Sequence, residues 1–411
     1  MRGEIITIGD ELVSGRVRDF NAHYLSSRLS SLGIVVTAIS TVGDNQEGII
    51  EVLDRAVKRS EFVLVCGGLG PTEDDITAEV AARFLDCPLV LDEDSLKYLK
   101  RSLNQHGLPW VDAYEKLAYV PEGARLIDPQ AQACGFYSHL NEIPIFFLPG
   151  VPEEVRYLAD AKVLPLLVSY DKNRAVVRQR TLKVFGLQEA RIGELLEGLA
   201  GQDKGVLIGF YPNFPENHVT ITVRRNTVGE AEKALLEVEK EAEARLEPYI
   251  VARDSASIED SLGRLLREKG LRLAVAESCS GGLISHRITS VSGSSDYFER
   301  AVVVYSNDSK IELLNVPADM IKAHGAVSPE TAASMAQGIR SVSRTDLGLA
   351  TTGIAGPAGG TEDKPVGTVF IALADAKGVE VDSFRFSGTR EQIKILTAQA
   401  ALNRVLLYLQ R

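Results

Sequence analysis

The sequence predicts an α/β protein: two three-layer α/β/α domains joined by a small α+β module. Three observations carry this. The chain has 411 residues, more than a single hydrophobic core supports. Residues 1 to about 168, and again 255–411, alternate β-branched apolar runs with amphipathic helical stretches, the pattern of parallel sheets covered on both faces. Between them, residues from about 171 to 252 read as strand, helix, strand pair and helix.

In the front segment, 4–12 (EIITIGDEL) is a strand ending in polar residues, and 20–33 is an amphipathic helix closed by Gly33. A strand at 34–44, a helix at 45–60, a strand at 61–70 and a helix at 76–85 repeat the scheme, and 143–155 (IPIFFLPGVPEEV) adds a strand and turn. The middle segment has a strand at 178–186, a helix at 187–201, strands at 206–214 and 218–225, and a charged helix at 229–246. Residues 254–260 (DSASIED) read as a linker entering a helix cap. The back segment has helices at 257–270, 279–291 and 391–410, with strands at 271–278, 301–306, 346–353 and 366–375. The apolar run 301–305 reads as a buried strand.

Composition excludes several classes. A net charge of −11 gives no general attraction to a phosphate backbone, so nucleic acid is not an expected partner. The four cysteines (Cys66, Cys87, Cys134, Cys279) form no C-x-x-C pair, which fits a reducing cytoplasm better than a zinc ribbon or disulfide framework. The N-terminus enters a strand at once, leaving no signal peptide, and no apolar stretch approaches the ~20 residues of a membrane helix. A cytoplasmic protein without membrane association is expected.

GGLGPTEDDIT (67–77) lies between a strand and a helix. Backbone N–H groups of Gly67, Gly68 and Gly70 can turn toward an anion at such a junction, and Thr72 can cap the helix. Asp74 and Asp75 then fall in its first turn, where carboxylates stabilise a helix, but where they also hold a magnesium-like ion beside a phosphate. Asp10 and Asp44 end neighbouring strands on the same rim, which favours a phosphate–metal site.

AESCSGG (276–282) is a second junction. Ser278, Ser280, Gly281 and Gly282 can face a phosphate, or simply cap a helix. Cys279 is a weaker nucleophile candidate, with only the helix residue His286 nearby. In TTGIAGPAGG (351–360), Thr352 and the N–H of Gly353 sit at a strand end suited to a substrate oxygen. Arg390, in FSGTR, is a candidate clamp or an ordinary surface arginine. GSSDYFERAVVVYSNDSK (293–310) brings Ser295, Tyr305 and Lys310 without a histidine. A serine needs an adjacent base, and lysine serves only if burial lowers its pKa from about 10.4.

GDELVSG with Asn21, VGD at 42–44, GGLGPTEDDIT and PGVPEE together resemble the N-terminal domain of the CinA (competence/damage-inducible) family, which is similar to molybdopterin-binding proteins of the MoaB/MogA kind. The resemblance implies a pyrophosphatase that cleaves ADP-ribose to AMP and ribose 5-phosphate. It would need a divalent metal (Mg, Mn or Co) and be stimulated by K+. Asp74 and Asp75 carry over as metal ligands, joined by Asp10 and Asp44. The ordered motifs AESCSGG, GSSDYFERAVVVYSNDSK, HGAVS, TTGIAGPAGG, KPVGTV and FSGTR resemble the CinA C-terminal domain, a nicotinamide-nucleotide amidohydrolase. That implies cofactor-free hydrolysis of nicotinamide mononucleotide (NMN) to nicotinate mononucleotide and ammonia. Ser295 carries over as nucleophile, Tyr305 and Lys310 as its activators, and Thr352 and Arg390 as substrate contacts. Ser280 stands where the family pattern has threonine.

The middle segment resembles the family's KH-like module but lacks the basic G-x-x-G loop of a nucleic-acid-binding KH domain. It is expected to be a spacer and oligomerisation module, with domains at 1–170, 171–254 and 255–411 in a homodimer. The rival expectation is a non-enzymatic adaptor for DNA uptake or recombination; another keeps the amidohydrolase and makes the front domain an inactive nucleotide binder.

Overall fold

The computed structural model describes residues 1–411 except 106, 129–134, 171–174 and 202–203. Cys134 and the expected module start at 171 lie outside the described residues. The chain forms two compact units, 1–178 with 223–234, and 179–222 with 235–411. No helix among the described residues is long and apolar enough to cross a membrane.

The front sheet has six strands. In spatial order they are Val35–Val42, Arg2–Ile8, Phe62–Cys66, Ile143–Leu148, Phe136–Leu140 and Arg125–Leu126. The first four run parallel, Phe136–Leu140 runs antiparallel to Ile143–Leu148, and Arg125–Leu126 antiparallel to Phe136–Leu140. Alternation along Phe62–Cys66 sends Phe62, Leu64 and Cys66 into one core and Val63 and Val65 into the other. Both faces are covered, so all five residues are buried. The first strand stops at Ile8, four residues short of expectation, because Asp10–Val13 turns helical.

The middle sheet orders Val206–Asn213, Glu216–Arg225, Val176–Val184 and Ile250–Arg253. The last strand, antiparallel to Val176–Val184, was not expected from the sequence. The helix expected at 187–201 is only Glu189–Leu195.

In the back sheet Leu273–Glu277 lies between Phe298–Val303 and Leu347–Gly353, all parallel. Thr368–Ala374 and Val379–Arg385 continue it antiparallel. Leu273, Val275, Leu347 and Leu349 face helices Ile258–Lys269 and Arg390–Gln410. On the other face Ala274, Ala276, Ala350 and Ala372 let helix Pro329–Ser343 approach closely. The run 301–305 is not a core strand. It belongs to the sheet edge, ends at Val303, and leaves Val303 and Tyr305 exposed; only Val304 is fully buried. Ser257 caps helix Ile258–Lys269, with Asp260 completing a capping box.

Val251 is buried in the back unit's core and Phe185 packs against it, while Gln399 Nε2 donates to Glu216 Oε1 at 2.9 Å. A fragment of 255–411 retains its whole sheet and should fold. It should nevertheless melt about 5 °C below a fragment of 179–411, the scale set by one lost buried side chain. Circular dichroism melts check this; coincident curves would show that the module adds no stability.

Candidate functional site

In the back unit, the carboxyl ends of Leu273–Glu277 and Phe298–Val303 converge on Lys310, which lies on helix Asn307–Leu314 and is 1% exposed. Its Nζ donates to the Val304 carbonyl at 2.7 Å and to Ser278 Oγ at 3.3 Å. The carbonyls of Tyr305 and Ser306 lie at 3.4 Å. All four partners are neutral oxygens. Burial therefore holds the ammonium below the usual lysine range, with the nearby Cys279 opposing weakly.

Ser295 is not brought to this amine. It lies in the turn Ser294–Asp296, ahead of Phe298–Val303, whereas Lys310 touches Val304 beyond the strand's other end. Six extended residues span roughly 20 Å, so the two side chains belong to opposite rims. The hydroxyl beside Lys310 is Ser278. Tyr305 is also displaced from its expected role: only its carbonyl faces Lys310, and its exposed phenol accepts from Arg390 Nη2 at 2.9 Å.

The glycine junction holds an anion already. The carboxylate of Glu277, fully buried, accepts from the N–H groups of Gly282 (2.9 Å), Ile284 (3.1 Å) and Ser285 (2.8 Å), and from Ser285 Oγ (2.7 Å). Gly281 N–H donates to the Ser278 carbonyl at 3.2 Å. Ser280 Oγ is paired with Thr351 Oγ1 at 2.9 Å, and both residues are fully buried. Ser280, Gly281 and Gly282 are thus occupied internally, and the expected phosphate cradle is a helix entrance stabilised by a carboxylate.

Thr352 Oγ1 donates to Ala326 O at 2.7 Å, so its hydroxyl proton is also taken. A Cβ on Gly353 would stand 2.7 Å from the Thr368 carbonyl, which explains the glycine by strand packing. Arg390 bridges Gly356 O and the Tyr305 phenol. Cys279 is buried and its thiol is pushed up to about 12 by desolvation, which disfavours a thiolate. His286 is exposed on helix Leu283–Thr289.

The front unit has a cleft of about 510 Å³ at the carboxyl ends of its parallel strands, lined by Glu11, Asp44, Asp74, Asp75 and the glycine loop 67–70. Asp10 N–H donates to Asp44 Oδ2 at 2.8 Å, and Asp44 N–H to Asp10 Oδ1 at 3.2 Å. Burial raises the Asp44 carboxyl, and Asp10, Glu11 and Asp74 raise it further by repulsion. Asp74 is held lower, chiefly by the Thr72 hydroxyl.

Thr72 does not cap the helix. Its N–H (2.9 Å) and Oγ1 (2.5 Å) donate to Asp75 Oδ2, while helix Thr77–Phe84 starts later, leaving Asp74 and Asp75 ahead of its first turn. Gly67 N–H donates to Leu148 O at 3.1 Å and is not offered to a ligand. Gly67 and Gly68 have positive φ, and a Cβ on Gly68 would collide with Thr77 Oγ1. Packing and backbone conformation thus account for these two glycines. Gly70 lies on the cleft, where a Cβ would collide with the Asp75 carboxylate. Asn21 Nδ2 donates to Gly150 O at 2.8 Å, fastening two distant motifs. Among the described residues, no three His, Cys, Asp or Glu side chains close a metal site by themselves.

The chain is 42% identical over 404 residues to a CinA-like protein of Geotalea uraniireducens, covering 98% of this chain and 96% of that one. It is 44% identical over 412 residues to a CinA-like protein of Syntrophus aciditrophicus, covering 100% and 98%. The chain belongs to the CinA family. Residues 4–168 match the probable molybdopterin binding domain, 179–252 the damage-inducible protein CinA KH domain, and 255–409 the CinA C-terminal domain. A crystal structure of the competence/damage inducible protein CihA from Agrobacterium tumefaciens is 38% identical, covering 37% of this chain and 95% of that one at a TM-score of 0.36.

Two residues of this CinA-family chain were not singled out by the sequence. Glu277 stands inside a quoted motif, and its place at a strand end before a helix was the available signal. Lys116, whose Nζ donates to Thr72 O at 2.7 Å, lies 44 residues away in sequence and carried none.

Proposed function

We propose that the back unit hydrolyses the carboxamide of NMN, with Ser278 as nucleophile and Lys310 as its base. The observation that carries this is the buried Lys310 amine 3.3 Å from the Ser278 hydroxyl, its hydrogen-bond partners among the described residues all neutral oxygens. Neutral Lys310 takes the serine proton as Oγ attacks the carboxamide carbon, and returns it to the departing nitrogen. Ammonia leaves, and water attacks the resulting ester with its proton passing to the same amine. Nicotinate mononucleotide is released and Ser278 regenerated. Serine and lysine suffice for every proton in this sequence.

For the front unit the reading is a metal-assisted pyrophosphatase acting on ADP-ribose. What supports it is a cleft lined by Glu11, Asp44, Asp74 and Asp75, where the Asp44 carboxyl is raised by burial and by repulsion from Asp10, Glu11 and Asp74, a charge pattern that fits a divalent cation. Asp10, Asp44, Asp74 and Asp75 are the residues that would hold it. Since no three of the described groups close a site alone, substrate phosphate oxygens would complete the shell, as is usual for magnesium. The bound metal would neutralise the pyrophosphate and polarise the phosphorus.

Incubation of the protein with NMN and with ADP-ribose, with and without chelator, tests both readings. Ammonia release should survive chelation, and AMP formation should not. Asp74→Asn and Asp75→Asn should each lower ADP-ribose cleavage by about 100-fold or more without touching NMN turnover. Cleavage at the parental rate in both variants would sink the front assignment. Absence of both reactions, with salt-dependent DNA binding, would favour the adaptor.

A further inference from the structure

A mononucleotide needs a cation near the rim that carries Ser278 and Lys310, and the glycine junction there is filled by Glu277. We propose that Lys394, assisted by Arg390, seats the substrate phosphate and makes the site select a nucleotide over its nucleoside. This rests on the amidase reading above.

Lys394 follows Arg390 by one turn on helix Arg390–Gln410. Like charges at this spacing disfavour an isolated helix, so the pair is not explained by helix stability. The Lys394 Nζ stands 3.5 Å from the position a Cβ would take on Gly281, whose surface is exposed. Gly281 N–H closes a turn onto the Ser278 carbonyl, which keeps the two Cα atoms within about 7 Å. The ammonium therefore stands beside the turn that directly follows the nucleophilic serine.

Arg390 approaches the same rim through its bond to Tyr305. Two of its N–H groups are used, on Gly356 O and the Tyr305 phenol, and a guanidinium has five. Neither Lys394 nor Arg390 makes an ion pair with a carboxylate among the described residues. A phosphate dianion between them would receive charge-assisted bonds from both and relieve their mutual repulsion.

The test compares NMN with nicotinamide riboside on the full-length protein. Lys394→Gln should raise KM for NMN about 10- to 100-fold, the loss of one charge-assisted contact, with kcat nearly unchanged. Turnover of the riboside should not change, and Lys394→Arg should restore most of the NMN affinity. A parental KM for NMN in Lys394→Gln would overturn the assignment. If the parent releases no ammonia from NMN, the amidase reading falls, and calorimetry still decides the phosphate seat. NMN binding by the parent that is lost in Lys394→Gln supports the seat; equal binding, or none to the parent, overturns it.

Discussion

Ser278→Ala should lower kcat for NMN deamidation by about three orders of magnitude or more, while Ser295→Ala leaves it within about twofold of the parent. The contrast follows from the sheet. Lys310 Nζ lies 3.3 Å from Ser278 Oγ, and Ser295 sits before the first residue of the strand whose far end Lys310 touches. Ser278→Ala removes the attacking oxygen but little packing volume, so the variant should fold as the parent does and still bind NMN. Binding without turnover separates a lost nucleophile from a lost fold. Ammonia release, with NMN titrated by calorimetry, reads both quantities. Parental kcat in Ser278→Ala, or a collapse of kcat in Ser295→Ala, would return the nucleophile to the sequence-based assignment.

The alternation of strands and helices was legible because it rests on local periodicity. So was the gathering of acids and glycines at strand ends, since parallel strands put their carboxyl ends on one rim. What the sequence could not resolve was which polar groups are already taken. Gly281 and Gly282 look free to bind an anion until the fold gives the Gly281 N–H to the Ser278 carbonyl and the Gly282 N–H to the Glu277 carboxylate. Thr72 looks like a helix cap until the helix is found to begin at Thr77. That Ser295 does not meet Lys310 has a related reason. Fifteen residues separate it from Lys310 in sequence, yet a strand intervenes and carries the chain across the sheet. Ser278 is 32 positions from Lys310 but directly follows Leu273–Glu277, the strand paired with Phe298–Val303. The 301–305 run misled differently: apolar composition does not tell a central strand from an edge that leaves side chains exposed.

Lys310→Met should reduce kcat about as severely as Ser278→Ala, since nucleophile and base act as a unit and their losses do not add. Lys310→Arg should not rescue activity: a guanidinium stays protonated near neutral pH and cannot accept the serine proton. Tyr305→Phe should stay within a few-fold of the parent, because the phenol bonds Arg390 and not the amine. The pH profile carries the sign of the mechanism. Only the neutral amine is a base, so kcat should rise with pH and level off above the pKa of Lys310. Burial disfavours the ammonium, so that plateau should begin below the ordinary lysine value of about 10.4. A profile that falls with rising pH through this range would mean that the ammonium is the active form, acting as an acid or an electrostatic clamp. Normal kcat in Lys310→Met would remove lysine from the chemistry altogether. Cys279 would be a poor replacement, since its buried thiol, pushed up to about 12, stays protonated at any pH where the fold is expected to work.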